Sequence, residues 1–399
     1  MATAPHVRNH GDHAFVRPTL DAGQASTRHE RPGSSAKAIF LLSPQSGTMC
    51  RAMNTKSPPA PNASDHFDGR RFFNPGVDVD RSLADLWRWR RSGQRVAWPE
   101  QTASPPPPPL HQAGPGEVLL TFIGQATVLI QVEGCNILTD PIFSARASPV
   151  SFAGPLRARP PAIAFDALPP IDLVLLSHNH YDHMDIATLR RLQNRSAPVV
   201  VTGLGNGRHL ARLGMSKTVE LDWWQACAPA EGVDVTFVPA QHWSSRTPFD
   251  RRRTLWGGHV VGVAGTRILF AGDTGYGPHF RTIARALRPD VALLPIGAYE
   301  PRWFMKAQHM DPADAVQAHI DLKADLSLGI HWGTFQLTDE AIDAPRDALA
   351  AARQAAGLAE SAFRVPEPGT TLVWRQGSSP AELAEKAAGP TVSRRKGQG

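Results

Sequence analysis

From residue 116 onward, apolar positions fall into short runs whose period changes along the chain. "EVLLTFIG", "TVLIQVEG" and "CNILTD" are β-rich segments broken by Gly, Asn and Asp, the pattern of a meander of hairpins. Beyond them, strands and helices alternate. "IDLVLLS", "PVVVTG", "DVTFVPA", "TRILFAGD", "DVALLPIG" and "LSLGIHW" read as strands. A helix is predicted from about Asp185, with Ile186, Leu189 and Leu192 on one face. Another carries Phe280, Ile283 and Leu287 at helical spacing. "MDPADAVQAHI" starts a third, with Asp311 as N-cap and Pro312 at the first position. A meander followed by β/α alternation predicts an α/β (α+β) fold of two sheets with helices outside.

The flanks have a different texture. Residues 1–60 are rich in Ser, Pro, Gly, His and Arg without periodicity, and residues 376–399 are polar again; both read as disordered tails. Met1, Met49 and Met53 are each candidate starts. Residues 61–115 form an N-terminal arm, in which "SLADLWRWRRSG" predicts a short helix and "SPPPPP" at 104–109 a stiff polyproline linker. Trp87 and Trp89 in "WRWRR" alternate with arginines, as in segments at a membrane interface and as in an ordinary exposed helix.

Composition narrows the partners. No apolar run approaches the roughly 18 residues that span a membrane, and "AIFLL" at 38–42 is too short for a signal-peptide core. Cys50, Cys135 and Cys227 are far apart and odd in number, so a reducing cytoplasm is expected. The formal charge of +6 sits entirely in the two tails, leaving 61–375 neutral. A neutral main domain has no field to hold a polyanion, so nucleic acid is not an expected partner.

The chemistry lies where strands end. His178, His180, Asp182 and His183 follow "IDLVLLS" within "SHNHYDHMD". His242, Asp273 and His331 each stand at the C-terminal end of a later apolar run, the edge on which such sheets build sites. Taken singly, His242 and His331 read as surface histidines and Asp273 as a turn residue. Three imidazoles and a carboxylate within six residues are costly to bury unless a divalent cation takes their lone pairs. His178, His180 and His242 make one candidate set; Asp182, His183 and His331 make a second, with Asp273 between them. Two cations so held can share a hydroxide and clamp the attacking and leaving oxygens.

HxHxDH followed by His, Asp and His in this order resembles the metallo-β-lactamase superfamily. "FIGQATVLIQVEG", "LTDPIFSARASPVSFAGP", "QHWSSRTPFD", "FAGDTGYGP" and "PIGAYEPRWFMKAQHMDP" resemble the branch of N-acylphosphatidylethanolamine-hydrolysing phospholipase D, over roughly 116–340. The resemblance implies an αββα sandwich over 116–375 and two Zn²⁺, with iron or manganese as alternatives. It implies hydrolysis of an N-acylated phosphatidylethanolamine to phosphatidic acid and an N-acylethanolamine. The seven residues above would be the metal ligands, Asp182 and Asp273 also serving catalysis. Asp140 in "LTDP" would support the cage from behind. Gln308 and His309 match positions near the substrate phosphate, His309 being a candidate proton donor; Tyr181 and Arg246 sit in matching substrate motifs. A phospholipid substrate implies peripheral contact with the inner membrane surface, and a homodimer stays open. A lactone or another phosphodiester is the alternative substrate. A non-catalytic metal- or lipid-binding module is the reading from another class, but no ligand position is lost.

Overall fold

The run Leu173–Leu176 is apolar throughout because both of its faces are buried. In the computed structural model, Leu173 and Leu175 point into one core cluster and Val174 and Leu176 into another, the two-residue alternation of a strand with no wet face. The structure describes residues 65–102 and 111–377 and the backbone of 385–386. These fall within one unit, Met49–Gly399; a second, Met1–Thr48, lies wholly outside the described residues.

Helix α1 (Leu83–Ser92) precedes the expected meander, β1 (Glu117–Gly124), β2 (Thr127–Val132) and β3 (Cys135–Thr139). Next come β4 (Leu173–Leu176), α2 (Ile186–Arg195), β5 (Val199–Gly203), α3 (Gly207–Ala211) and β6 (Thr218–Leu221). β7 (Ala226–Ala230), β8 (Val233–Val238), β9 (Gly258–Val263) and β10 (Thr266–Phe270) follow, then α4 (His279–Leu287), β11 (Val291–Pro295), α5 (Arg302–Met305) and α6 (Pro312–Leu322). The chain continues through β12 (Leu326–Ile330), α7 (Ala344–Ala355), β13 (Phe363–Arg364), β14 (Thr371–Arg375) and β15 (Glu385–Lys386).

The strands form two mixed sheets, β15-β14-β1-β2-β3-β4-β5-β6 and β13-β12-β11-β10-β9-β8-β7. Each contains antiparallel and parallel pairs. Leu120, Phe122, Val128 and Ile130 of the first sheet share a core with Val235, Phe237, Val261 and Leu293 of the second. On the other face of the first sheet, Leu189 and Leu192 of α2 pack with Val174 and Leu176. Phe280 and Ile283 of α4 and Val316 and Leu322 of α6 join the larger core. This is the αββα sandwich anticipated from the sequence.

Several elements escaped the periodicity. β7 carries Pro229 and mixed burial, β9 carries a buried histidine, His259, at its second position, and α7 is alanine-rich with two buried residues. The expected disorder of 376–399 needs one correction: Glu385–Lys386 pairs antiparallel with β14, which offers ladder hydrogen bonds on the side not taken by β1. The tail at 1–60 and the linker at 104–109 lie outside the described residues.

The arm is laid against the main domain. α1 starts at a reciprocal capping box between Ser82 and Asp85 and stops at left-handed Gly93. Trp89 donates to Asp339 at 2.7 Å and Trp98 to the Glu340 carbonyl at 2.7 Å. Asp80 pairs with Arg251 and Arg252 at 3.0 and 3.1 Å. Buried His66 lies between Asp65 and Asp222, each at 2.8 Å, and stacks on Trp223 with centroids 4.0 Å apart.

Burial opposes the charged form of His66, but the two carboxylates outweigh it and raise the imidazole above its ordinary 6.5. A raised value in the folded state gives stabilisation that is complete below 6.5 and is lost as the pH climbs through the raised value. Protection against amide exchange across 65–77, taken relative to the intrinsic base-catalysed rate, should therefore fall on alkalinisation through that window. His66→Phe, which keeps a ring against Trp223, should abolish this pH dependence; an unchanged profile in the variant would exclude His66 as its source.

Candidate metal centre and catalytic pocket

Each part of the cluster is delivered by a strand that has just ended. His178 lies two residues past β4, His242 beyond β8, Asp273 beyond β10 and His331 directly after β12. Gly272 allows one of these close approaches. Its φ is +62°, and a Cβ there would stand 2.6 Å from the Ser177 Cβ. An alanine would push the Asp273 loop away from the histidine loop.

Two groups of donor atoms result. His178 Nε2 lies 2.9 Å from His180 Nδ1, which lies 3.2 Å from His242 Nε2. His242 Nδ1 can only donate to the Gln308 carbonyl, 3.0 Å away, so its Nε2 carries a lone pair. Burial lowers His178 and His242 well below the ordinary value and His180 to about 3. Three neutral imidazoles thus aim lone pairs at one point. Such facing lone pairs repel unless a cation lies between them.

The second group is Asp182 Oδ2, His183 Nε2, Asp273 Oδ2 and His331 Nε2. Five of its six separations are 3.1–3.2 Å. A tetrahedral ion with bonds of about 2.0 Å spaces its ligands about 3.3 Å apart, so the set has the dimensions of a cation site. Burial alone would lower His183, but Asp273, Asp182 and Asp140 raise it well above its ordinary value. Burial would raise Asp182 and Asp273; His183 above all holds both well below the carboxylate range. The cluster therefore demands positive charge, which a cation satisfies. Asp273 Oδ2 also lies 3.9 Å from His242 Nε2, facing the first set, while its Oδ1 has no partner. His180 Nε2 is likewise unpartnered. The chemistry and spacing of both sets fit metal ions.

Behind the cluster stands fully buried Asp140. It accepts from the Ser177 amide at 2.8 Å, from the Ser177 hydroxyl and from His183 Nδ1 at 2.6 Å. Ser177 Oγ in turn meets His178 Nδ1 at 2.9 Å. One carboxylate thereby orients an imidazole of each set, as outer partners of metal-binding histidines do. Gln125, in the turn between β1 and β2, had no sequence signal. Its side-chain amide donates to Asp182 Oδ2 at 2.9 Å, and its carbonyl accepts from the His331 amide at 2.7 Å.

A cavity of about 460 Å³ opens over the cluster. His180, Asp182, His242, Asp273 and His309 form its polar end; Val79, Leu86, Trp89, Phe304, Met305 and Leu337 line much of the rest, with Arg81, Ser82 and Arg251 among them. The arm thus supplies one apolar wall, which no periodicity could disclose because its apolar partners Phe304, Met305 and Leu337 lie over 200 positions away. His309 is buried, with Nδ1 unpartnered and 4.0 Å from Asp273 Oδ2. Gln308 lines the same cavity, its Oε1 accepting from Trp243 at 2.8 Å. Tyr181 lines it too, donating to the Arg246 carbonyl at 2.6 Å. The Arg246 guanidinium lies over the Tyr181 ring but opens onto a different cavity. Trp87 and Trp89 part company: Trp87 is 62% exposed, whereas Trp89 faces the pocket.

Residues 135–332 match the family described as "Beta-lactamase superfamily domain". N-acyl-phosphatidylethanolamine-hydrolyzing phospholipase D 1 of Caenorhabditis elegans is 39% identical over 241 residues, 57% of this chain and 68% of that protein. The chain belongs to the metallo-β-lactamase superfamily. Within the superfamily it is a homologue of these phospholipases D. The mitochondrial enzyme of that name from Saccharomyces cerevisiae is 32% identical over 258 residues, 63% of this chain and 55% of that protein. Igni18, a metallo hydrolase of Ignicoccus hospitalis, shares the fold at a TM-score of 0.50 and 24% identity, covering 65% of this chain and 99% of its own. This metallo-β-lactamase-fold chain is a metal-dependent hydrolase.

Replacing Asp140 with Asn removes the charge that orients both sets. Metal affinity should fall about 10–100-fold, the usual cost of losing such a partner. Competition with a chromophoric chelator measures it, and parental affinity would reduce Asp140 to a packing role.

Proposed function

We propose that the protein is a dinuclear zinc phosphodiesterase that hydrolyses N-acylphosphatidylethanolamine to N-acylethanolamine and phosphatidic acid. The carrying observation is the form of the cavity, a compact polar end joined to a largely apolar and aromatic wall in which Arg81 and Arg251 also stand. An amphiphilic diester matches that division: its phosphate meets the cluster and its acyl chains lie along Val79, Leu86, Trp89, Phe304 and Met305. The activity for which the Caenorhabditis elegans and yeast relatives are named supports the same substrate.

Two zinc ions at these sets would lower the pKa of bound water to about 7, supplying the nucleophile at neutral pH. His178, His180 and His242 would hold one ion, and Asp182, His183 and His331 the other, with Asp273 reaching both. Asp182 and Asp273 also fix the position of the attacking water. His309, outside both sets, orients the phosphate or protonates the leaving oxygen, and Gln308 and Tyr181 border the phosphate. Buried apolar walls exclude competing water from the bond being broken.

Substrate of this class resides in a bilayer, and the groove wall supports peripheral contact with one. Leu83 is 85% and Trp87 62% exposed on α1, which lines the groove. Arg91 lies over the Trp87 ring and Arg88 over that of Trp303, pairing indoles with cations as interfacial segments do. No helix among the described residues is long and apolar enough to cross a membrane.

The deciding assay offers purified protein N-acylphosphatidylethanolamine and, in parallel, a soluble phosphodiester and a lactone, with products scored by mass spectrometry. Preferential turnover of the lactone would replace the phosphodiesterase reading. Leu86→Glu should lower kcat/KM for the lipid relative to the soluble diester by about tenfold or more, since burying a leucine contributes about 1.5–3 kcal/mol. An unchanged ratio would remove α1 from the substrate path.

His309→Ala should retain both metals and lose about 10²–10⁴-fold in kcat. Asp273→Asn should lose metal as well as rate. Elemental analysis beside kcat separates them: loss of metal from the His309 variant would make that residue a ligand, and parental kcat would make it a bystander.

A further inference from the structure

A second cavity, of about 480 Å³, is walled by residues 144–151, the start of α2 and Arg246, and shares Tyr181 with the catalytic pocket. Three guanidinium groups belong to its wall, Arg146, Arg190 and Arg246. None has a carboxylate within ion-pair distance among the described residues. Arg146 commits Nε and Nη1 to the Ser151 and Gly154 carbonyls, and Arg246 commits Nη1 to those of Asn179 and Met184. Among the described residues, the remaining N–H groups of both, and all those of Arg190, make no hydrogen bond to the protein.

The wall's carboxylate, Asp185, offsets part of this charge, acting on Arg246 together with nearby Asp250, but it pairs directly with none of the three arginines. Asp185 accepts from the Phe143 amide at 3.2 Å, the Ser144 amide at 3.0 Å, the Thr188 hydroxyl at 2.6 Å and the Ala187 amide at 3.1 Å. Its lone pairs are spent in closing the loop onto α2. Ser144, Ser148 and Ser151 add hydroxyls to the lining. Arginines are contributed by three separate segments, in a stretch, 61–375, whose net charge is zero.

We propose that this cavity binds a phosphomonoester dianion, free or as a lipid headgroup, at a site separate from the catalytic pocket. A tetrahedral dianion presents an oxygen to each guanidinium in turn, whereas a planar carboxylate is satisfied by one fork. The volume leaves room for the ester's organic part. Val150 on the wall and Phe152 just beyond it are exposed apolar side chains, so both a soluble ester and an interfacial lipid can reach the arginines.

The test uses metal-loaded protein, its Arg190→Glu variant and its Arg146→Ala variant. Calorimetry with sn-glycerol 3-phosphate probes the soluble source. Cosedimentation with phosphatidylcholine vesicles, with and without phosphatidic acid, probes the lipid source. Binding weakened about tenfold or more in the variants is expected, the effect of losing one charge-assisted contact. Loss in the soluble arm assigns the site to free esters, and loss confined to phosphatidic acid vesicles assigns it to a headgroup. Anion held at the metal centre persists in all three proteins and so does not contribute to the difference. Should Arg190→Glu fail to fold, judged by its melting temperature, Arg146→Ala carries the measurement. Absence of saturable binding to the parent, or parental affinity in the folded variants, overturns the proposal.

Discussion

Seven titratable side chains are buried at a single point, and that constraint governs the rest of the molecule. Desolvation penalises every charged form among them. The carboxylates raise His183 well above its ordinary value, while burial lowers His178, His180 and His242 below theirs. A cluster with lone pairs facing one another and an excess of carboxylate is a structure prepared for cations. The two sheets bring their strand ends together at that point, and small residues such as Gly272 let the loops approach closely enough to share it.

Support for the cluster extends further than its ligands. Asp140 reaches His183 directly and His178 through Ser177. Gln125 holds Asp182 through its side chain and His331 through its backbone. Both residues lie in the opening meander, so the first strands of the fold orient groups delivered by later ones. This interdependence ties metal affinity to the packing of the whole sandwich.

The arm adds specificity of another kind. Asn74 donates to the carbonyl of His242 at 2.9 Å, and α1 supplies apolar wall to the catalytic cavity. The candidate metal ligands all lie in the sandwich, while the shape of the cavity over them depends on a segment with its own docking contacts at His66, Asp80, Trp89 and Trp98. Change in that segment would reshape the cavity without touching a candidate ligand. Arg246 shows the converse: its loop begins near the cluster at His242, yet its guanidinium turns past Tyr181 to a separate cavity.

By itself the sequence determined the sandwich and the metal-type residues, because both are written in local order. Apolar runs such as Leu173–Leu176 declare buried strands, and "SHNHYDHMD" places four ligand-type groups within six residues of one strand end. His242, Asp273 and His331 were legible by their position after later strands. Tertiary structure alone decided what depends on long-range approach. It set the division into two donor sets at 3.1–3.2 Å spacing in the second, and it set the roles of Gln125 and Ser177. It also placed Trp89 inward beside exposed Trp87 and turned Arg246 away from the catalytic pocket. None of these follows from period or composition, since side-chain direction at such contacts is fixed by partners far away in the chain.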